Sequence, residues 1–262
     1  MGLMIVGRGP APPRPAARAP SGAGRGSVIQ RQAGILTLTN PLDENDLDAI
    51  TEEQIDADMV VYANVSRLKK LHPSAVAIDA DLGTSAPIPA AQLAGLTRLF
   101  IVAHGRPGSV ADLTPVGMVM KLLKDVAAQG SGIQDKEEKR QRLRQFWQIE
   151  EIVLVACSSD VSEGQAQSFA KQMHASIIRM VNHLLPKPIR VVGLKGIGIV
   201  DHQGQIRVIP PEKKGEYRAA KAKLPPGGAE RRQAHGQLLD AFAYPNGKGT
   251  MTYTSDPTTL NF

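Results

Sequence analysis

Apolar positions along the chain fall into short continuous runs, separated by stretches of helical period and by Gly- and Pro-rich breaks. Leu99-Phe100-Ile101-Val102-Ala103 is one such run, and Ile152-Val153-Leu154-Val155-Ala156 is another. An unbroken apolar run that stops at polar or small residues predicts a buried parallel strand. Weaker strand signals lie at Gly34–Thr39, read as an edge strand broken by Asn40-Pro41, and at Met59–Ala63. Ala75–Ile78 is a further strand candidate, with Asp79 and Asp81 following it. Thr51-Glu52-Glu53 predicts the start of a short helix, and Ser66–Leu71 a helical turn.

Downstream, Thr114-Pro115 supplies an N-cap residue and a proline suited to the first helical position. Val116, Val119, Met120, Leu123 and Val126 follow on one face. Asp135–Gln145 is charged throughout and reads as an exposed loop or helix. Ser162–Leu185 predicts a long helix, with Phe169, Met173, Ile177, Met180 and Leu184 on one stripe and Pro186 and Pro188 ending it. Ile189–Leu194 predicts a strand. Ile197–Val200 and Gln205–Ile209 predict a β-hairpin turning at Gly204. Strands alternating with helices predict an α/β fold of three layers, a mostly parallel central sheet flanked by helices, with the hairpin at its C-terminal end.

Composition adds boundaries. Residues 1–27 are Gly, Pro, Ala, Arg and Ser with little to bury, and read as a disordered basic tail. Residues 28–210 read as the folded domain, and 211–262 as a basic Pro/Gly-rich extension. The formal charge of +6 is unevenly spread: residues 1–31 carry +5 and residues 213–232 another +5, which leaves the remainder at −4. Basic segments of this kind attract polyanions, or are simply solvated. Aromatic content of 4% offers no stacking platform, which argues against nucleic acid. No apolar run reaches the roughly 20 residues of a membrane span, and Met1–Gly7 is too short for a signal peptide. A single cysteine excludes an internal disulfide or a multi-Cys metal site. Synthesis in a reducing cytoplasm fits, with later secretion or delivery into a target cell by a non-classical route left open.

The two strongest strands end on reactive groups: His104-Gly105 after the first and Cys157-Ser158-Ser159 after the second. In parallel α/β sheets, sites form beyond the carboxyl ends of strands. A thiol there becomes a nucleophile as thiolate, and an imidazole can accept its proton and return it to the leaving amine. Gly105 permits close approach of a substrate. The N–H groups of Gly105 and Cys157 are available to an acyl oxyanion.

An apolar strand ending in His-Gly, followed by one ending in Ala-Cys, resembles the caspase-like cysteine peptidases of clan CD. "LFIVAHGR", "IEEIVLVACSS" and the helix and hairpin after them are most similar to the autoprocessing cysteine protease domains of large bacterial toxins, over roughly residues 55–210. The resemblance implies a caspase-like fold with Cys157 as nucleophile and His104 as base. It also implies an oxyanion hole from the N–H groups of Gly105 and Cys157, and an upstream carboxylate, Asp79 or Asp81, orienting the His. Toxin domains favour leucine before the scissile bond and caspases aspartate, so the preference stays open; Arg98 or Arg106 pointing inward favours an acid. The toxin domains are activated by inositol hexakisphosphate, which implies Lys195, Arg207, Lys213 and Lys214 as a polyphosphate surface here.

Blander readings stand beside these. Cys157 alone is equally a small buried residue, His104 a structural histidine, and Asp79 or Asp81 turn residues. His174 and His183 lack metal-ligand spacing. Gly193–Gly198 lacks the helix of a phosphate loop, and Ser109 the strand–elbow–helix of a hydrolase serine. Two functions follow. One is a cysteine endopeptidase of toxin or effector type, acting on protein or peptide. The other is a non-catalytic caspase-like module binding a polyanion or a secretion apparatus.

Overall fold

The computed structural model describes residues 32–39, 52–81, 86–162, 166–181, 188–225, 228–245 and 248–254. The proposed tail 1–27 lies outside them. Six strands make the main sheet: β1 (Gln32–Thr39), β2 (Val76–Asp81), β3 (Leu96–Ala103), β6 (Glu151–Ala156), β7 (Arg190–Leu194) and β10 (Thr250–Thr254). Their order is β10-β7-β6-β3-β1-β2. All neighbours run parallel except β10, which is antiparallel to β7. Two hairpins stand apart from this sheet: β4 (Gly105–Arg106) with β5 (Ser109–Val110), and β8 (Ile197–Val200) with β9 (Ile206–Ile209).

The two strong apolar runs lie where burial on both faces would put them. β3 and β6 are adjacent and parallel, with Ala103 opposite Ala156. One face of the sheet carries Leu99, Ile101, Ile152 and Leu154. These pack with α2 (Ala90–Leu93), α3 (Pro115–Ala128), α4 (Lys136–Phe146) and α5 (Phe169–Val181) through residues such as Leu93, Met118, Leu122, Leu143, Phe169 and Met173. The other face carries Phe100, Val102, Val153 and Val155 against Val61, Val65 and Leu68 of α1 (Glu52–Leu71), with Val200 of β8. These are the three layers expected. Thr114 caps α3 through its Oγ1, which accepts from Gly117 N at 3.1 Å, and Asp135 caps α4 in the same way.

Several expectations are corrected. Met59–Ala63 is not a strand but part of the 20-residue α1. Its Val60 and Val61 favour strands locally, but Val61, Val65 and Leu68 form a buried row at helical spacing, and tertiary burial overrides propensity. β1 is not an edge; it lies between β3 and β2. Asp79 and Asp81 do not follow β2 but belong to it. The helix expected over Ser162–Leu185 is described as Phe169–Val181.

The boundary at residue 210 is not structural. A 3-10 turn (Pro211–Lys213), α6 (Lys214–Ala222) and α7 (Gly228–Phe242) fold back on the β8–β9 hairpin, and β10 completes the sheet. The hairpin is therefore followed by further elements of the same compact unit, Arg31–Phe262. A small cluster of Ile199, Ile209, Tyr217 and Leu239, with Leu238 and Phe242 against it, holds the two helices down.

Candidate active site

His104 and Cys157 each follow the last paired residue of adjacent parallel strands, so both leave the sheet at the same carboxyl edge. Their backbones then touch. A Cβ at position 105 would overlap the Cys157 carbonyl oxygen and crowd its nitrogen, so only glycine lets the His104-Gly105 segment lie against the cysteine. His104 and Cys157 are both half-buried.

Each turn is built differently. After His104 the chain makes the β4–β5 hairpin, with Pro107 and Gly108 (φ +80°) as a type II-like turn. Arg106 Nε donates to Ser109 Oγ at 2.9 Å, and its guanidinium pairs with Asp112 at 3.2 Å. A second tight turn follows. Ala111 and Asp112 have φ of +52° and +56°, Val110 and Leu113 exchange backbone bonds across them, and Ala111 N donates to His104 O at 2.8 Å. Two consecutive non-glycine residues in the left-handed region carry strain, which persists where surroundings over-determine it.

Beyond Cys157, residues 157–160 form a turn with Ser158 at φ +55°. Ser158 N donates to Gly196 O and Asp160 N to Leu194 O, both at 2.8 Å. The buried Ser159 Oγ accepts from Leu194 N at 2.9 Å, and Ser159 O accepts from Ala170 N at 2.9 Å. Asp160, also buried, accepts from the Ser168 hydroxyl at 2.8 Å and the Tyr253 hydroxyl at 2.5 Å. Burial, reinforced by this carboxyl, pushes the Tyr253 hydroxyl up from its ordinary range. The Cys157 turn is thus tied to β7, α5 and β10.

The Cys157 sulfur faces the β8–β9 side. Burial pushes its thiol up; the Gly198 N–H aimed at the sulfur, Lys214, its own N–H and Arg218 work the other way. Gly198 is held in turn by Asn64 of α1. The buried Asn64 amide donates to Gly198 O and accepts from Val200 N, both at 2.9 Å. Arg67 adds a bond to Val200 O at 2.6 Å.

Of the residues singled out by sequence, the structure brings together His104, Gly105 and Cys157. Asp79 and Asp81 sit on β2 with β1 between them and β3: Asp79 is level with Thr37 and Val102, and Asp81 is opposite Thr39. Two strand spacings, about 9.6 Å, separate their backbone from β3. Their side chains lie outside the described residues. Arg98 is not at this site: it is the third residue of β3, pairs with Glu151, and lies six residues, about 20 Å, from His104. Arg190 joins the same carboxylate at 3.1 Å, closing the amino ends of three adjacent strands. Among the polyphosphate candidates, Lys195 precedes Gly196, which packs on the backbone of Ile209 and Pro210 just before Lys213 and Lys214. Arg207 instead pairs with Asp240 of α7 at 2.6 Å, in an open cleft lined also by His202 and Arg232. Among the described residues no cluster of His, Cys, Asp or Glu could hold a metal.

Sequence reasoning missed the supports of the His104 and Cys157 turns: Asn64, which holds Gly198, Asp160 with Tyr253, and the left-handed Ala111 and Ser158. Only Ser158 and Asp160 carried a signal, as the polar residues directly after the Cys157 strand. The cap helices contain another unforeseen pair: the Tyr217 hydroxyl and His235 Nε2 lie 2.9 Å apart in the interior. Burial lifts Tyr217 to about 12 and, with Arg67, Lys221, His202 and Arg231 around it, lowers His235 to about 4.

No protein-family model matches the chain, and no curated protein is significantly similar to it. No helix among the described residues is long and apolar enough to cross a membrane.

Proposed function

We propose that the protein is a cysteine endopeptidase of the caspase-like type, with Cys157 as nucleophile and His104 as base. The observation that carries this reading is the contact of the His104-Gly105 backbone with Cys157 at the carboxyl ends of neighbouring parallel strands. In the reaction, His104 takes the thiol proton and the sulfur attacks the scissile carbonyl carbon. The carbonyl oxygen becomes an oxyanion facing backbone N–H groups, with Gly105 and Cys157 as donors. Collapse expels the amine, which receives the proton from the imidazole, and water hydrolyses the thioester. Strain at Ala111 and Ser158, on either side of the site, fits a geometry fixed for chemistry.

A mixed peptide library incubated with the full chain tests this. Cleavage abolished in Cys157→Ala and reduced about 10²–10⁴-fold in His104→Ala is the expected result. Absence of Cys157-dependent cleavage by a folded protein overturns it.

The raised Cys157 thiol favours a second reading, a non-catalytic caspase-like module whose basic segments hold a polyanion. Iodoacetamide labelling of Cys157 at neutral pH separates the two: dependence on His104 supports the peptidase, and equal labelling with or without His104 supports the module. Activation by inositol hexakisphosphate belongs to the same proposal. The shared backbone neighbourhood of Lys195, Lys213 and Lys214 supports it, and the Arg207–Asp240 pair stands against a role for Arg207. Titration of the full chain with the polyphosphate, read as binding and as peptide cleavage, decides it.

A further inference from the structure

The turn after Cys157 is pinned first along one line. Ser158 N donates to Gly196 O and Asp160 N to Leu194 O, both at 2.8 Å, and Ser159 Oγ accepts from Leu194 N at 2.9 Å. All three bonds reach the short stretch of chain that leaves β7. A turn held along a single edge can still rock about it. The anchors that oppose rocking lie off that line. Ser159 O accepts from Ala170 N of α5 at 2.9 Å. Asp160 Oδ1 collects two hydroxyls, Ser168 at 2.8 Å and Tyr253 of β10 at 2.5 Å, which stand 3.3 Å from each other. Ser168 Oγ also accepts from Lys171 N at 3.4 Å, in the position of an N-cap for α5.

The sequence makes room for this network. A Cβ at Gly193 of β7 would meet Asp160 Cβ at 2.9 Å and Ala170 Cβ at 2.5 Å, so glycine there lets the turn and α5 close on the sheet. Asp160 and Ser168 are buried, and Tyr253 is half-buried against the main core. A buried acceptor oxygen is costly to leave unmet, and when met it fixes direction as well as distance. Asp160 is three residues beyond Cys157, so any swing of its end of the turn moves the sulfur and the Cys157 N–H together. A thiol and an imidazole that exchange a proton tolerate misplacement of less than about 1 Å. We propose that Asp160 and Tyr253 are positioning residues for Cys157: their bond holds the sulfur and the Cys157 N–H in register with His104 and Gly105. This rests on the peptidase reading above. It gives the edge strand β10, two strands away from β6, a part in that site.

Variants of the full chain test it. Tyr253→Phe deletes one hydroxyl and keeps the ring. Asp160→Asn keeps an acceptor oxygen, and Asp160→Ala does not. Ile177→Val, a buried residue further along α5 and outside the hydrogen-bonded network, controls for lost stability alone. In Tyr253→Phe, kcat on a peptide selected from the library is expected to fall about ten-fold at unchanged KM. His104-dependent labelling of Cys157 by iodoacetamide should fall in parallel; Cys157 is the only cysteine, so intact-protein mass reports it alone. Asp160→Ala should fall at least as far, and Asp160→Asn should stay within about three-fold of wild type. Ile177→Val, with its urea midpoint lowered by a comparable amount, should leave both readouts unchanged. Tyr253→Phe and Asp160→Asn carry the test where Asp160→Ala does not fold.

Tyr253→Phe no slower than Ile177→Val overturns the positioning role and leaves the peptidase standing. A loss that comes entirely from KM overturns it in the same way. Asp160→Asn as impaired as Asp160→Ala also overturns it, because the acceptor oxygen would then not be what matters. Where wild-type labelling depends on His104 but no peptide is cleaved, the labelling comparison decides by the same criteria. Labelling independent of His104, with no peptide cleaved, removes the peptidase reading and the positioning role with it.

Discussion

Two unlike structures meet at Cys157. On one side stands the sheet, with β3 and β6 buried on both faces and fixed by a continuous parallel ladder. On the other lies a cap of the β8–β9 hairpin under α6 and α7. Four buried residues hold it together, one of them Tyr217 paired with His235. The sheet side positions the Cys157 turn through bonds to Leu194, Ala170 and Tyr253, the last of them far away in sequence. The cap contributes charges and one N–H, and its own interior contains a titrating group. Rigidity and adjustability are therefore divided across the site: the sheet sets where the sulfur is, and the cap sets the field it feels.

The strongest way to break this division is at Asp160. Asp160→Ala leaves the Ser168 and Tyr253 hydroxyls without their shared acceptor in the interior, and is expected to cost about 2–4 kcal/mol, read by urea unfolding. Asp160→Asn, which keeps the acceptor oxygen, is expected to recover much of this. A loss of under about 0.5 kcal/mol for the alanine variant would mean that the sheet side does not depend on this lock.

Acid is expected to act on the cap before the sheet. His235 is neutral and buried, and its folded value of about 4 lies below the ordinary histidine value near 6.5. A depressed value means that the folded state binds the proton less tightly than the unfolded chain. The stability it reflects is present above about pH 6.5 and is lost as pH falls towards 4, by about 2–3 kcal/mol. Hydrogen-exchange protection factors, taken against the intrinsic rate at each pH, should then fall in α6 and α7 across that window while β3 and β6 keep theirs, and His235→Gln should flatten the response. A uniform fall would show that cap and sheet unfold as one. Tyr217 works with the opposite sign at the alkaline end: its contribution holds below about pH 10 and is lost towards 12.

Gly105→Ala sharpens the comparison at the contact itself. The added methyl must displace the His104 segment or the Cys157 peptide. About 1–2 kcal/mol of stability and ten-fold or more of His104-dependent labelling at Cys157 are expected to go. The smallest effect is expected at Ala111→Gly, which relieves a left-handed alanine and gains up to about 1 kcal/mol in thermal unfolding.

The sheet was the legible part of this molecule. Apolar runs at Leu99–Ala103 and Ile152–Ala156 mark buried parallel strands, and the residues ending them mark the sheet edge of the candidate site. The cap was illegible for a physical reason. α6 buries one residue, Tyr217, so its sequence shows no apolar stripe. β10 is an edge strand of Thr, Met and Tyr, half-exposed, with no run to detect. α1 was hidden by Val60 and Val61, whose branched side chains suggest a strand until the row Val61, Val65, Leu68 is followed. The left-handed backbone at Ala111, Asp112 and Ser158 has no compositional signature, because none of these is glycine. Asn64, which holds Gly198, lies 93 residues from Cys157 in sequence, and no local pattern announces the link.

Tyr253 lies 93 residues beyond the aspartate it bonds. On the ribosome, the strand carrying Cys157 emerges long before its last support exists. The turn around the sulfur reaches its final shape only after β10 has been made and has docked, a contact of large sequence separation that closes late. The order in which the strands are synthesised therefore places completion of the turn around Cys157 among the last events of folding.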